Sequence, residues 1–259
     1  MSKYRLKLDH VVVVVSSLSD AIEQYQSLGF TISLGGDNGP THNALIAFED
    51  GSYIELISVR SRSLRGIFRF FYRTKLIILF KPFTSHLRFR FMCWMGGPDG
   101  IRDWCIKETR LDYLADALSS RNVSMSKIEI FTRRTPNLEI AEWLLVAPTE
   151  PLLPFFIEDV THTDVRIPNG DAVSHRNRCK GISSLMLDQS SYSSIQPQLV
   201  ILSQQAAALG HNDSEIKIKF VAQQAAQIFV ELVGIGPISA VLAMPANKLP
   251  RLLVNSQNN

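Results

Sequence analysis

The residues able to do chemistry in this chain fall into no local signature that names a reaction. Cys93, Cys105 and Cys179 are odd in number and lack the paired spacing of a zinc finger. Asp103, Asp112 and Asp116 do not follow a calcium-loop spacing. Gly234-Ile235-Gly236 lacks the rest of a dinucleotide fingerprint and reads as a hairpin turn. No Cys–His or Ser–His–Asp arrangement stands out, and Cys105 reads as a small buried hydrophobe. His86, His162 and His211 read as loop residues. His10 differs. It stands in the run Leu8-Asp9-His10-Val11-Val12-Val13-Val14-Val15, where strand alternation puts its imidazole on the same face as Val12 and Val14.

Composition narrows the class. Of 259 residues, 46% are hydrophobic and 20% charged, which excludes long disorder, collagen and coiled coil. No stretch of ~18 uncharged apolar residues is present, so no spanning helix is expected. Residues 1–9 are charged and run into strand-like sequence without a secretory apolar region. With the cysteine usage, this predicts a reduced, cytoplasmic protein.

The net charge of +3 is unevenly placed. Residues 60–90 hold nine basic and no acidic side chains, and the remaining 18 basic residues face 24 acidic ones, a net of −6. An acidic body with one basic insert is not a nucleic-acid-binding body. The insert interleaves its arginines with residues such as Phe68, Phe70, Phe71, Ile78, Leu79 and Phe83. Three readings stand: an amphipathic element making peripheral contact with an anionic membrane, a lid whose cations attract an acidic substrate, or a poorly packed insertion, including a stretch that a gene model translates in error.

The elements needed to position these residues recur. Strand propensity over 8–15, helical spacing of Leu18, Ile22, Tyr25 and Leu28 with caps at 17–19 and a stop at Gly29, and strands over 30–34, 42–48 and 52–59 spell β-α-β-β-β. Residues 35–40 read as a turn-rich loop, and Glu49-Asp50-Gly51 as a hairpin turn. A second copy runs through strand 101–107, helix 111–118, and strands 127–131, 139–147 and 153–160. A fainter third copy has strand 182–187, helix 199–209, and strands 216–221, 226–233 and 237–244. The expected division is 1–60 for the first unit, 61–99 for the insert, 100–168 for the second unit, and 169–259 for a third, degenerate unit and tail. The fold class is α+β, with repeated βαβββ units forming a cupped, half-barrel mixed sheet and helices outside.

Several segments together resemble a glyoxalase-like protein of the vicinal oxygen chelate (glyoxalase/bleomycin resistance/dioxygenase) superfamily. They are Leu8-Asp9-His10-Val11-Val12, Thr41-His42-Asn43-Ala44-Leu45-Ile46, Tyr53-Ile54-Glu55-Leu56-Ile57, Gly100-Ile101-Arg102-Asp103-Trp104 and Pro154-Phe155-Phe156-Ile157-Glu158-Asp159-Val160-Thr161, extending through His175 and Gly181-Ile182. The resemblance implies two half-barrels closing into a cup, with a divalent metal (Zn, Fe, Mn, Co or Ni) held by residues of first and last strands. It carries the metal onto His10 and Glu55, ligand types suited to those ions. It implies metal-assisted lyase, isomerase or oxygenase chemistry on a small oxygenated metabolite, including the dioxygenase type. The other reading of His10 and Glu55 is a buried hydrogen-bonded pair, and the alternative function is a metal-free small-molecule-binding protein using the same cup. The resemblance also allows a homodimer.

The second unit departs from the pattern. Aligning Arg102-Asp103-Trp104 with Leu8-Asp9-His10 puts Trp104 where the second histidine would stand, and an indole is no ligand of this kind. Glu158 takes the place of the second carboxylate and joins Glu55 as a candidate catalytic group. His42, Asn43, Trp104, Arg133 and Trp143 are the candidate substrate-binding residues. An arginine there could grip a carboxylate, and an indole could wall the cavity; the alternatives are a solvated turn and core tryptophans. Where the family carries a glycine after its Pro-Asp, this chain has Leu138 after Pro136-Asn137.

Overall fold

The computed structural model describes the whole chain except residues 1, 5, 136, 210–215, 222–227, 235–239, 244–250 and 255–259. His211, Ile235 and Gly236 therefore lie outside the described residues, as do parts of the strands expected over 226–233 and 237–244.

The first unit contains β2 (Leu8–Val14), α1 (Leu18–Ser27), β3 (Ser33–Asn38), β4 (Thr41–Ala47) and β5 (Tyr53–Val59), preceded by a short β1 (Ser2–Tyr4). Ser17 caps α1 by accepting the Asp20 N–H, and Gly29 leaves the helix at φ +87°, a left-handed stop that glycine adopts without penalty. Asp50-Gly51 turns the chain between β4 and β5. Residues 35–38, expected as loop, instead continue β3. Gly36 is the reason. At φ +112° it lies so close to the Arg134 carbonyl that a Cβ would sit 2.4 Å from it. Only glycine lets the two backbones approach there.

The second unit repeats the order: β6 (Gly100–Lys107), α4 (Leu111–Ser119), β7 (Glu129–Arg134), β8 (Ile140–Val146) and β9 (Phe155–Asp159). The eight strands pair as β2-β5-β4-β3-β7-β8-β9-β6, and antiparallel β2–β6 pairing joins the ends, so the mixed sheet curls into a nearly closed cup. The β3–β7 seam is narrow, a single Asp37–Arg134 register pair beside Gly36.

Between the units, α2 (Arg62–Arg73), a 3-10 turn (Leu76–Phe83) and α3 (His86–Gly96) form a packed helical hairpin, not a loose insertion. Two buried arginines anchor it. Arg65 binds the Val15 carbonyl at 3.0 Å and the Asp99 carboxylate. Arg90 grips Asp103 of β6 at 2.6 and 2.7 Å, and Trp94 donates to the same carboxylate at 2.9 Å.

The C-terminal part has α5 (Thr163–Arg166), β10 (Cys179–Asp188), α6 (Gln189–Tyr192), α7 (Gln196–Ala208), β11 (Ile216–Val221), β12 (Ile228–Gly234), β13 (Ala240–Ala243) and β14 (Arg251–Val254). Its sheet order is β1-β11-β10-β12-β13-β14. The first strand of this segment lies between the next two, whereas β2 and β6 each pair with the last strand of their own unit. The main core runs between the cup's outer face (Val11, Val13, Trp104, Ile106), helices α1, α4 and α7, and this second sheet (Leu185, Leu187, Ile218). A separate cluster, with Val12, Val14, Cys105, Phe155 and Ile157, fills the cup's inner face.

Candidate active site in the cup

The floor of the cup is built from β2 and β5. His10 is buried, stacked on Tyr53 with ring centroids 4.5 Å apart, and edge-on to Phe155. Its Nδ1 donates to Asp9 Oδ1 at 2.7 Å. In the neutral ring this leaves Nε2 as a lone pair, 3.7 Å from Glu55 Oε2. The other Glu55 oxygen accepts from Asn43 Nδ2 at 2.5 Å, so Asn43 on β4 sets the orientation of the carboxylate.

Asp9 is itself held. Burial would raise its carboxyl, but Arg166 and His10 outweigh burial and keep it well below the usual carboxylate range. Arg166 reaches Asp9 with both terminal nitrogens at 3.0 and 2.8 Å, Asp159 of β9 at 2.5 and 3.1 Å, and the Tyr53 hydroxyl at 2.7 Å. One guanidinium from α5 thereby ties both halves of the cup together.

Above this floor lies a cavity of about 650 Å³, within the ~300–1,000 Å³ range of small-molecule sites. Its walls are Tyr53, Ile57, Phe131, Trp143, Leu145, Phe155 and Ile157 from the strands, and Phe68, Phe91, Met92, Trp94 and Met95 from the helical hairpin, which roofs it. Gly39, Pro40 and Thr41 border it. Against this apolar lining stand His10, Glu55, Thr132, Arg133 and Arg166, with Arg88 from the hairpin. Arg133 is buried, with its Cζ 5.8 Å from the Trp143 ring centroid. It spends Nη2 on the Arg166 carbonyl at 2.8 Å and leaves Nε without a partner. Burial pulls its pKa down, partly offset by the Glu55 charge.

The glyoxalase-like domain family matches residues 8–200. The chain belongs to that family, within the vicinal oxygen chelate superfamily. A crystal structure of a Staphylococcus aureus protein described as hypothetical covers 95% of this chain and 88% of its own at 14% identity and TM-score 0.58, which supports the fold along nearly the whole length. Methylmalonyl-CoA epimerase from Mycobacterium tuberculosis (17% identity, TM-score 0.37, 62% of this chain and 93% of that one) is a more distant likeness. So is the Mn(II)-bound glyoxalase from Novosphingobium aromaticivorans (9%, 0.38, 78% and 54%). No curated protein matches the chain.

In this glyoxalase-like chain His10, Glu55, Arg133 and Trp143 line one cavity, and Asn43 touches Glu55. His42 sits beside Asn43 on β4, where strand alternation turns it to the other face, and it does not line the cavity. Trp104 and Glu158 do not share the cup either. Trp104 is buried in the outer core, and Glu158 accepts the Leu111 N–H at the start of α4. Strand register explains both. His10 pairs across to Cys105, not Trp104. Within each half, His10 neighbours Tyr53 as Cys105 neighbours Phe155, and Leu45 faces Glu55 as Leu145 faces Ile157. The true counterparts of His10 and Glu55 are therefore Cys105 and Ile157. Aligning the Asp-His and Asp-Trp pairs is off by one, and one residue reverses the face. Sequence reasoning missed Arg166 and Tyr53 altogether. The one available signal was the capped turn of α5 directly after β9, which aims Arg166 back at the floor.

The superfamily's divalent metal can be tested against these donors. A catalytic metal generally takes about three protein ligands. The cup offers His10 Nε2 and Glu55 from the first half. At the matching positions the second half offers Cys105 and Ile157, with the cation Arg133 also in the wall. Ligand atoms of Asp9, His10 and Cys105 do lie within 4.8 Å of one another. Both Asp9 oxygens are already held by Arg166 and His10, however, and the Cys105 thiol is fully buried within the apolar inner cluster. Among the described residues, the donor set does not fit a resident divalent metal.

Proposed function

We propose that the cup binds a small, largely apolar organic anion without a resident metal, and that Glu55 exchanges a proton with it in isomerase or lyase chemistry. One observation carries the reading. A buried guanidinium with an unpartnered Nε lines the same largely apolar cavity as the Glu55 carboxylate, whose Oε2 lies 3.7 Å from His10 Nε2. Arg133 holds the substrate's carboxylate or enolate oxygen, the interaction that a guanidinium with an unfilled donor in an apolar wall favours most. Glu55, steadied by Asn43, takes the proton from the carbon beside the carbonyl. His10 Nε2 receives or returns that proton, while Asp9 fixes the tautomer through Nδ1. The apolar walls keep water from competing.

The test uses chelator-treated protein and a panel of apolar 2-oxo acids and carboxylic acids. Calorimetry measures affinity, and proton NMR in D2O measures exchange of the C–H beside the carbonyl. Arg133→Met should weaken binding by roughly tenfold or more. Glu55→Gln should keep binding and lose exchange. Added Zn or Mn should change neither. Equal affinity in Arg133→Met overturns the anion grip. Exchange that persists in Glu55→Gln, or that appears only with metal, overturns the assignment of the base. Binding without exchange in the unmodified protein leaves the metal-free binding protein as the function.

A further inference from the structure

The helical hairpin that roofs the cavity has a second face that none of the described residues covers. Ile67 and Phe70 on α2, and Leu76, Ile78, Leu79 and Phe83 in the 3-10 turn, are exposed, Phe83 to 86%. Lys75 and Lys81 flank this tip, and Arg62 and Arg73 are exposed on α2. The patch is continuous in sequence, since six of the molecule's large exposed apolar side chains fall between residues 67 and 83.

We propose that this tip docks on an anionic lipid surface. Charge selects the occupant. The hairpin region 60–90 carries nine basic residues and no acidic one, while the rest of the chain carries −6. An anionic membrane attracts the hairpin and repels the body, which fixes the orientation as well as the contact. A second copy is the poorer occupant, because a two-fold interface would bring the same lysines and arginines face to face. The tip is apolar with cations at its rim, the arrangement of elements that lie in an interface with aliphatic and aromatic side chains inserted. Among the described residues no helix is long and apolar enough to cross a membrane, so the contact is peripheral. Arg65 and Arg90, pinned to Asp99 and Asp103, hold the hairpin rigid against the cup, so the tip is presented ready formed.

Flotation of the full chain tests this, with vesicles of phosphatidylcholine alone and of phosphatidylcholine mixed with phosphatidylserine. The unmodified protein should float with the mixed vesicles, remain largely unbound with phosphatidylcholine, and dissociate as salt is raised. Leu79→Asp/Phe83→Asp and Lys75→Glu/Lys81→Glu should each lose roughly tenfold or more in partitioning. Near-UV circular dichroism should be unchanged, because these side chains are exposed. Val200→Asp, a comparably exposed apolar site on α7, should bind as the unmodified protein does. Failure to float with mixed vesicles overturns the proposal, as does flotation that the tip variants leave intact. A dimer in sedimentation that Leu79→Asp/Phe83→Asp dissolves, without vesicle binding, assigns the patch to self-association instead and overturns it too. None of these readouts depends on the chemistry in the cup.

Discussion

The two halves of the cup share a strand order and differ in what they point inward. The first half contributes an imidazole, a phenol and a carboxylate: His10, Tyr53 and Glu55. At the matching register positions the second half contributes Cys105, Phe155 and Ile157. A repeated backbone thus carries one reactive wall and one apolar wall. The apolar half still takes part in the site, because Arg133 and Trp143 stand on its β7 and β8. The duplication preserves geometry, and side-chain exchange at a handful of inward positions decides the chemistry.

Arg166 is the point where the halves depend on each other, and removing it should have the largest effect. Arg166→Met leaves the buried Asp9 without its arginine, while the half-buried Asp159 keeps only Lys107, 2.9 Å away. Breaking a buried pair by removing one partner costs about 3–5 kcal/mol, and chemical denaturation at pH 7 should show a loss of that order. The pH dependence sharpens the point. Asp9 and Asp159 are both held below the usual carboxylate range in the folded state. The unfolded chain therefore binds more protons in acid. Their contribution is fully present above about pH 5 and is lost as pH falls through and below about 4. In Arg166→Met that contribution is gone, so the gap from the unmodified protein should narrow as pH drops. A gap that stays constant from pH 7 down to about pH 2 would show that Arg166 acts by packing alone.

Substitutions on β6 and β9 probe the register of the two halves next. Trp104→His replaces a buried core indole and should cost ~3 kcal/mol while leaving metal uptake unchanged, since that position faces away from the cup. Cys105→His/Ile157→Glu changes the two positions that match His10 and Glu55, and it should raise affinity for Zn or Mn by at least about tenfold in calorimetry. Metal uptake by Trp104→His would refute the assignment of faces.

A smaller effect is expected at the seam between the halves. A Cβ at Gly36 would meet the Arg134 carbonyl at 2.4 Å, on a residue already at φ +112°. Gly36→Ala should cost ~1–3 kcal/mol by parting the single β3–β7 register pair, and hydrogen exchange should quicken on both strands. Exchange that quickens elsewhere would place the strain outside the seam.

These elements also show how far the sequence could be read. The βαβββ order of both cup units is legible because their apolar periodicities and stop signals are local: Ser17 and Gly29 bound α1, and Asp50-Gly51 turns one hairpin. His10 with Glu55 is legible through the family resemblance, which maps both onto strands that the local pattern already marks. The second half of the site is not, because a face assignment needs inter-strand register, and the β2–β6 pairing carries irregularities that no single strand reveals. Arg166 is illegible for another reason. Its partners Asp9 and Tyr53 are 157 and 113 residues away, and no local pattern marks a lone arginine on a four-residue helix. Residues 35–38 read as a turn because Gly35-Gly36 is turn chemistry in isolation. Only the approach of β7 makes it strand chemistry.

The smallest expected effect lies where the halves solve one problem with different residues. The β3–β4 hairpin places Gly39 at φ +67°, and the β7–β8 hairpin places Leu138 at φ +66°. The left-handed region costs a leucine about 1–2 kcal/mol through its Cβ, and glycine pays almost none of that. Leu138 gains little in return, for its side chain is 73% exposed. Backbone bonds hold the turn, from Thr135 N–H to the Glu139 carbonyl at 2.8 Å and from Leu138 N–H to the Thr135 carbonyl at 3.0 Å. Leu138→Gly should therefore stabilise the protein by ~0.5–1 kcal/mol, after the greater backbone entropy of glycine in the unfolded chain is subtracted. Leu138→Asn should recover part of that gain, because asparagine tolerates the same region, as Asn122 does at φ +63° after α4. A thermal midpoint lowered by both substitutions would mean that Leu138 makes a stabilising contact outweighing its backbone strain.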